Sequence, residues 1–502
     1  MKKAILAVAA AGFLLAAAAF SSAGGRPAVS RDRFLDPGFW RDQALRDLIP
    51  FWDAHARDAV GGAFFMNLSR TWRPLPPWDK VPALVSRHVF GFSAAYLLSG
   101  EERYLATAGR GADYLFRHAW DPDFGGWFDK LDREGRPLVE SKSVALQLYT
   151  NVGLTGYYLT TGDARALSLV RKSVDIQRSR GRDAEFGGYV QALRRDLGVL
   201  DDGKNKHAHY GYVGSLLLNL YLATRDPDIL SWEKELMDLT LDRMRDKEGW
   251  IHGFRSRFDR RWTRTPAVVE GREVVSVGAE LTAALAFLRL ARQSGDRKYL
   301  EAGLELGRRL TRLGFDRERG VWHEFLDAAP PHAPVPNQTT WWWVQIYGAF
   351  LELQLYRATG DGAYLDGFVR TEAFFDRAYR DKSCGGVFGG VTPAGLPAGD
   401  GRKASDGEWH TSYHEMEHAL LNYIFLSLWV RREPAVLHFR LDGPGTRFVS
   451  LIDDPDVRIS SVRMDGRAWT AFDAVRGSVE VPPGPGHAVE IVYAPEPPGP
   501  KK

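Results

Sequence analysis

The sequence predicts an all-α (α/α)6 toroid followed by a small C-terminal all-β domain. Three observations carry that prediction. A Gly-centred loop recurs six times at a near-constant interval. A helix-stop and helix-start signature falls between successive copies. The pattern breaks near Arg432 into short alternating runs.

The first element is a leader. Lys2 and Lys3 precede an apolar run from Ala4 to Phe20, and Ser21, Ser22 and Ala23 are the small residues of a cleavage site. Residues 1–23 read as a secretory signal peptide. The mature chain is then periplasmic or secreted, with no stable membrane anchor after cleavage. Formal net charge is +3, of which Lys2 and Lys3 supply two units. That is no footprint for nucleic acid. Cys384 is the only cysteine, so no intramolecular disulfide forms.

The repeat comes next. "DAVGGAF", "DPDFGGWF", "RDAEFGGYV", "RDKEGWIHG", "DRERGVWHE" and "DKSCGGVFGG" carry Gly62, Gly126, Gly188, Gly249, Gly320 and Gly386, at spacings of 64, 62, 61, 71 and 66 residues. Between them lie "LLSGEERYL", "LTTGDARAL", "LATRDPDIL", "ARQSGDRKYL" and "RATGDGAYL". Each reads as a helix end, a Gly or polar stop, an acidic N-cap and a new helix start. Each unit therefore holds two helices joined by a tight turn. Six helical hairpins in a row, residues 31–432, are expected to close into a toroid with the Gly-Gly loops around a central funnel. From Ala435 the runs "VLHFRL" and "AVEIVY" alternate polar and apolar residues. Residues 435–496 are expected to form a small β-sandwich-like module.

Inner helices of such a ring face any ligand with their loop-proximal ends. The 16 Trp and 18 Tyr suit stacking on sugar rings. "SRHVFGFSAAY" brings Arg87 into an otherwise apolar helix. "KNKHAHYGYVG" brings His207 and His209, and the metal reading fails because no carboxylate follows at zinc-ligand spacing. "WWWVQ" brings Trp341, Trp342, Trp343 and Gln345, of which the three tryptophans cannot all enter one core. "EWHTSYHEMEHAL" brings Trp409, His410, Tyr413, His414, Glu417 and His418, with His414 expected to face inward and His418 to pack within the helix.

These motifs resemble the N-acylglucosamine 2-epimerase / cellobiose 2-epimerase superfamily over roughly Phe34 to Arg432. "RHVFGFSAAY", the Asp-Gly-Gly-Trp-like "DPDFGGWF", "KNKHAHY", "WWWVQ" and the Trp-x-x-x-Tyr-His of "EWHTSYHEMEHAL" carry the likeness. The resemblance implies cofactor-free epimerisation or isomerisation of a reducing mono- or oligosaccharide by a monomer or homodimer. It implies His414 as acid/base, Arg87 as enediolate clamp, His209 or His207 on the carbonyl, and Trp342 and Trp409 stacked on the sugar. Gln345, Tyr413, Glu280 and His323 are further candidates for substrate binding. The sequence departs from the family pattern at Ala279, where that pattern has a second catalytic His, and at Thr282, Tyr347 and Glu417. Either His323 or His410 supplies the second proton, or the chemistry differs. A glycoside hydrolase or polysaccharide lyase would need paired carboxylates from Glu280, Glu324, Asp406 and Glu408. A sugar-binding protein without turnover is the third alternative.

Overall fold

Helices that are apolar all the way round must be buried on every side. The computed structural model, which describes residues 31–496, satisfies this with a ring. The expected signal peptide, residues 1–23, lies outside the described residues. Six inner helices form the ring: Pro82–Ser99, Val144–Thr161, a third running from Tyr210–Tyr212 through a π-helical turn to Leu218–Thr224, then Val277–Ser294, Trp342–Thr359 and Ser412–Phe425. Each packs on the next, and the sixth packs back on the first. Small residues allow the close approach. A Cβ on Gly153 would collide with the Ser86 carbonyl of the neighbouring helix, and one on Gly91 with Ser412.

Five of the six helix pairs are hairpins. The outer members are Glu102–Tyr114, Ala164–Arg180, Pro227–Leu239, Arg297–Leu313 and Gly362–Ala378. Four of the tight turns use a left-handed glycine, such as Gly162 at φ 73°, whereas the third uses Arg225 at φ 53°. Asp163, Asp226, Asp296 and Asp361 then cap the next helix through their side chains. The sixth pair corrects the expectation of six hairpins in a row. The outer partner of Ser412–Phe425 comes from the start of the chain, Pro37–Asp42 and Ile49–His55. Trp52 Nε1 donates to Glu415 at 2.8 Å, the Trp40 ring lies 4.8 Å from His418, and Arg431 donates to the Leu35 carbonyl at 2.9 Å.

The Gly-Gly loops share one construction. Asp58, Asp121, Asp183, Asp246, Asp316 and Asp381 each accept two backbone N–H groups of their own turn. Four of them also hold a buried lysine: Lys80, Lys142, Lys204 and Lys403, at 2.7–2.9 Å. The same four take an arginine from an adjacent loop. Arg133 reaches Asp58, Arg195 reaches Asp121 and Arg260 reaches Asp183. Arg70 of the first loop reaches Asp381 of the last at 2.8 Å, across the closure of the ring. Burial pushes the Asp58 carboxyl up, but the Gly61 N–H and the Lys80 ammonium outweigh it and hold the group at about 2. Asp183 and Asp381 are held lower still. Because these values are depressed, the stability they contribute is full above the ordinary carboxylate range and is lost as pH falls.

At the opposite end sits the β module. A four-stranded antiparallel sheet, in the order Ala435–Leu441, His487–Pro495, Val457–Met464 and Arg467–Trp469, faces a three-stranded sheet of Gly445–Phe448, Ser478–Val481 and Phe472–Asp473. It docks on the hairpin turns. The Asp442 N–H donates to Thr161 O at 2.9 Å, and Arg357 pairs with Asp454 at 2.7 Å. The helical domain is not free of strand, since its loops hold short ribbons such as Lys130–Leu131 with Pro137–Val139. No helix among the described residues is long and apolar enough to cross a membrane.

The loop construction predicts unequal costs at its two cations. Lys403→Met leaves a buried carboxylate short of its ammonium and should cost about 3 kcal/mol. Arg70→Ala removes a half-exposed partner and should cost about 1 kcal/mol or less. Urea unfolding at pH 7 reads both, and equal losses would contradict the hierarchy.

Candidate active site

The loop end of the ring opens on a cavity of about 350 Å³. Segments far apart in sequence meet there. The first inner helix supplies Arg87 and the second Tyr149. The approach to the third supplies Lys206 and His207. The loop after Gly249 supplies Phe254 and Arg255, and the loop after Gly320 supplies Glu324. Trp341, Trp342, Trp343 and Tyr347 come with the fifth helix, and Glu408, Trp409 and His414 with the sixth.

Arg87 is 4% exposed and lies among aromatic faces, with its guanidinium carbon 4.4 Å from the Tyr149 ring centroid and 5.2 Å from those of Trp409 and Tyr413. It donates to the Trp409 carbonyl at 2.8 Å. Trp409 adopts φ 58°, a left-handed conformation that is uncommon outside glycine. His414 sits one turn into its helix, beside Trp342 and Tyr347, with ring centroids 5.7 and 5.6 Å away. Its Nδ1 lies 3.0 Å from Glu417 Oε2, and Nε2 has no partner among the described residues. Burial, then the charges of Arg87 and His410, push His414 well below the usual histidine range. Burial raises Glu417 to about 7 despite the hydrogen bond from Tyr413.

The second half of the cavity is more charged. Neither ring nitrogen of His207 is hydrogen-bonded within the described residues. Burial, then Lys206 and Arg87, push His207 down to about 3. Burial also lowers Lys206 to about 8, against the pull of Glu324. Glu324 is pushed up to about 8 by burial, opposed by Arg255 and Lys206. Its Oε2 is buried without a hydrogen-bond partner. Both histidines are therefore neutral at neutral pH and able to accept a proton, and two further groups titrate just above it.

Five expected site residues lie elsewhere. His209 does not reach the cavity: its Nδ1 is 2.7 Å from the Asn205 carbonyl, and Nε2 accepts the Tyr189 N–H at 3.3 Å. Gln345 is fully buried and clamps the Trp322 backbone, accepting its N–H and donating to its carbonyl, both at 2.8 Å. Glu280 accepts the Ile251 N–H through both oxygens at 3.0 Å. All three are ties between an inner helix and the loop before it, as Gln147 is for Trp127. His323 stays in its loop beside Asp316, as His252 does beside Asp246. Tyr413 lies under Arg87 but lines a second chamber beneath the cavity. His410, the other candidate for the second proton, is fully buried between Trp342 and Glu415. His418 is packed within the helix, 2.7 Å from Glu372.

Sequence reading missed Lys206, Tyr149, Phe254 and Arg255. Lys206 carried the one available signal, because it adjoins His207 in a segment already singled out. The loop residues Phe254 and Arg255 carried none.

A ring of helix pairs whose loop-end cavity joins stacked aromatics, a buried arginine and two neutral histidines defines a carbohydrate-active barrel. The chain belongs to the N-acylglucosamine 2-epimerase (GlcNAc 2-epimerase) family, whose pattern matches residues 63–416. It is 26% identical over 391 residues to a cellobiose 2-epimerase of Bacteroides fragilis, covering 73% of this chain and 93% of that one. Its fold is similar to that of a D-mannose isomerase, with TM-score 0.68 and 19% identity over 78% of this chain and 98% of that one. It is similar, more distantly, to that of a GH76 alpha-mannanase of Bacteroides thetaiotaomicron, with TM-score 0.53 and 14% identity over 78% and 97%. At such identities the two structural likenesses speak for the fold.

The ties and the cavity residues should separate experimentally. Gln345→Ala strands two buried backbone groups and should cost about 1–3 kcal/mol in thermal unfolding. The folded protein should keep its affinity for a reducing disaccharide by calorimetric titration. Trp342→Ala should weaken that affinity at least tenfold.

Proposed function

We propose that the protein is an exported sugar isomerase or 2-epimerase, working without a cofactor by proton transfer at C2 of a reducing sugar. The observation that carries this reading is the meeting of His414, His207 and Arg87 in one cavity, with an unengaged nitrogen on each imidazole. Family membership and the likeness to a cellobiose 2-epimerase support it. Export rests on the lysine-led apolar leader alone.

In this mechanism His414 Nε2 takes the C2 proton of the open-chain aldose. The electron pair moves to the carbonyl oxygen and forms an enediolate, which Arg87 stabilises. Positioned proton transfer of this kind contributes about 10²–10⁴-fold, and a fixed charge on a developing oxyanion about 10²–10³-fold. His414 returning the proton at C1 gives the ketose. A proton relayed through the His207 imidazole, from the neighbouring Lys206 ammonium or from water, to the other face of C2 gives the epimer, and His414 then loses the proton it took to solvent. His207 thereby takes the place left by Ala279.

In heavy water the protein should place deuterium at C2 of cellobiose or mannose, read by proton NMR. His414→Ala should slow that exchange by about 100-fold or more, with the fold intact by circular dichroism. No exchange from any common aldose or disaccharide would overturn the proposal. Release of reducing ends from a glycan panel would favour hydrolysis through Glu324 and Glu408, both on the cavity wall.

The pH profile offers a second check. His414 is depressed, so it stays neutral and competent below the ordinary histidine value of about 6.5. The acid limb of kcat/KM should therefore fall below that value. A limb at or above it would contradict the assignment of His414 as the base.

A further inference from the structure

We infer that the sugar bound in this cavity carries an anionic group, a carboxylate or a sulfate, seated against Lys206. The inference rests on the sugar-isomerising reading of the site and adds the charge class of the substrate.

Five lysines are buried among the described residues: Lys80, Lys142, Lys204, Lys206 and Lys403. Four are paired with a loop aspartate at 2.7–2.9 Å. Lys206, 4% exposed, has no carboxylate within 4.0 Å among the described residues. Its ammonium lies instead 4.4 Å from the Phe254 ring centroid and 5.4 Å from that of Trp343. Aromatic faces attract a cation but replace its water only in part. A buried charge left without a partner is costly, and native structures normally pair it. Here the open side of Lys206 is the cavity itself.

The charge balance of the walls points the same way. Arg87 donates to a carbonyl rather than a carboxylate. Arg255, held at φ 61° on the rim, has no ion pair among the described residues. Against these three cations stand two acids. Glu408 is exposed at the mouth. Glu324, buried, is pushed up to about 8 and is mostly uncharged at neutral pH. A neutral sugar develops one negative charge, on the enediolate, and Arg87 meets it. Lys206 and Arg255 then face the ligand with charge to spare. A uronate, or a sugar sulfate ester, supplies the missing negative charge.

The test compares D-glucuronate, glucose 6-sulfate and glucose in C2 deuterium exchange and in calorimetric titration. At least one of the two anionic sugars should exceed glucose in kcat/KM by tenfold or more, and which one does identifies the group. In Lys206→Met the anionic-to-neutral ratio should fall to within about twofold of one, and Lys206→Arg should restore part of it. A wild-type protein that prefers glucose, or a ratio unchanged in Lys206→Met, overturns the inference. If no sugar exchanges at all, the isomerase reading fails separately. Tighter binding of the anionic sugar, lost in Lys206→Met, would then still uphold the charge class. Thermal melting guards against misfolding, since Met in place of an unpaired buried Lys should not lower the midpoint.

Discussion

An aspartate at the head of each Gly-centred loop, buried in four of the six, holds the mouth of this barrel in shape. The inner helices fix the ring, but they leave six loops at one end with backbone groups to satisfy. Each aspartate meets part of that need from within its own turn. In four loops a buried lysine then balances the charge, and an arginine from an adjacent loop ties one unit to the next. The Arg70–Asp381 pair matters most for closure, because it joins the first unit to the last. Backbone pairing of Leu68 with Lys403 and Ala404, the Trp72 bond to the Cys384 carbonyl and the Trp52 bond to Glu415 join them as well, beside the close approach of Gly91 to Ser412.

The lacing is incomplete, and the gap is informative. Asp246 has a histidine in place of the lysine, and Asp316 has no cationic ion-pair partner among the described residues. The Asp246 loop runs on into a long excursion before Val277, which accounts for the spacing of 71 residues. The two loops carry Phe254, Arg255 and Glu324 to the cavity. Laced and unlaced loops both reach the cavity, the former with Lys206, His207 and Trp409 and the latter with Phe254, Arg255 and Glu324, while inner helices bring Arg87, Tyr149, Trp342 and His414. Function placed on loops held by a rigid scaffold is a general arrangement. Local departures from a repeat are where a site is expected.

The repeat was legible because its glycines sit at fixed left-handed turns and its helices are apolar throughout. The β module was legible from its period of two. The sixth helix pair was not, because its two members lie at opposite ends of the helical chain and no short turn joins them. The site was partly legible. His414, Arg87, His207 and Trp342 were found as polar or aromatic residues near inner-helix starts. The same criterion also selected His209, Glu280 and Gln345. Those side chains turn outward to the preceding loop and satisfy its backbone, whereas His414 and Tyr149 turn to the axis. On the second inner helix the tie Gln147 and the cavity residue Tyr149 stand two residues apart, about 200° of rotation. Sequence spacing without the loop's position cannot resolve the two.

The far end of the barrel bears on the chemistry as well. Ser215, Thr282 and Tyr347 form a floor shared by the cavity and a mostly apolar chamber below it. That chamber is lined at its far end by Leu451, Ile452 and Asp453 of the β module, with Asp453 paired to Arg289 at 2.5 Å. The β module thus lies across the end of the lumen opposite the loops. Glu417 of the sixth inner helix reaches into this chamber, bonded to Tyr413 and facing His414 Nδ1. A carboxylate open to water would sit near its ordinary value and keep its charge. Buried here, it is raised to about 7, and its Oε2 lies 3.0 Å from the imidazole Nδ1. The Glu417 contact thus engages Nδ1 and leaves Nε2 as the His414 nitrogen free to meet a ligand in the cavity.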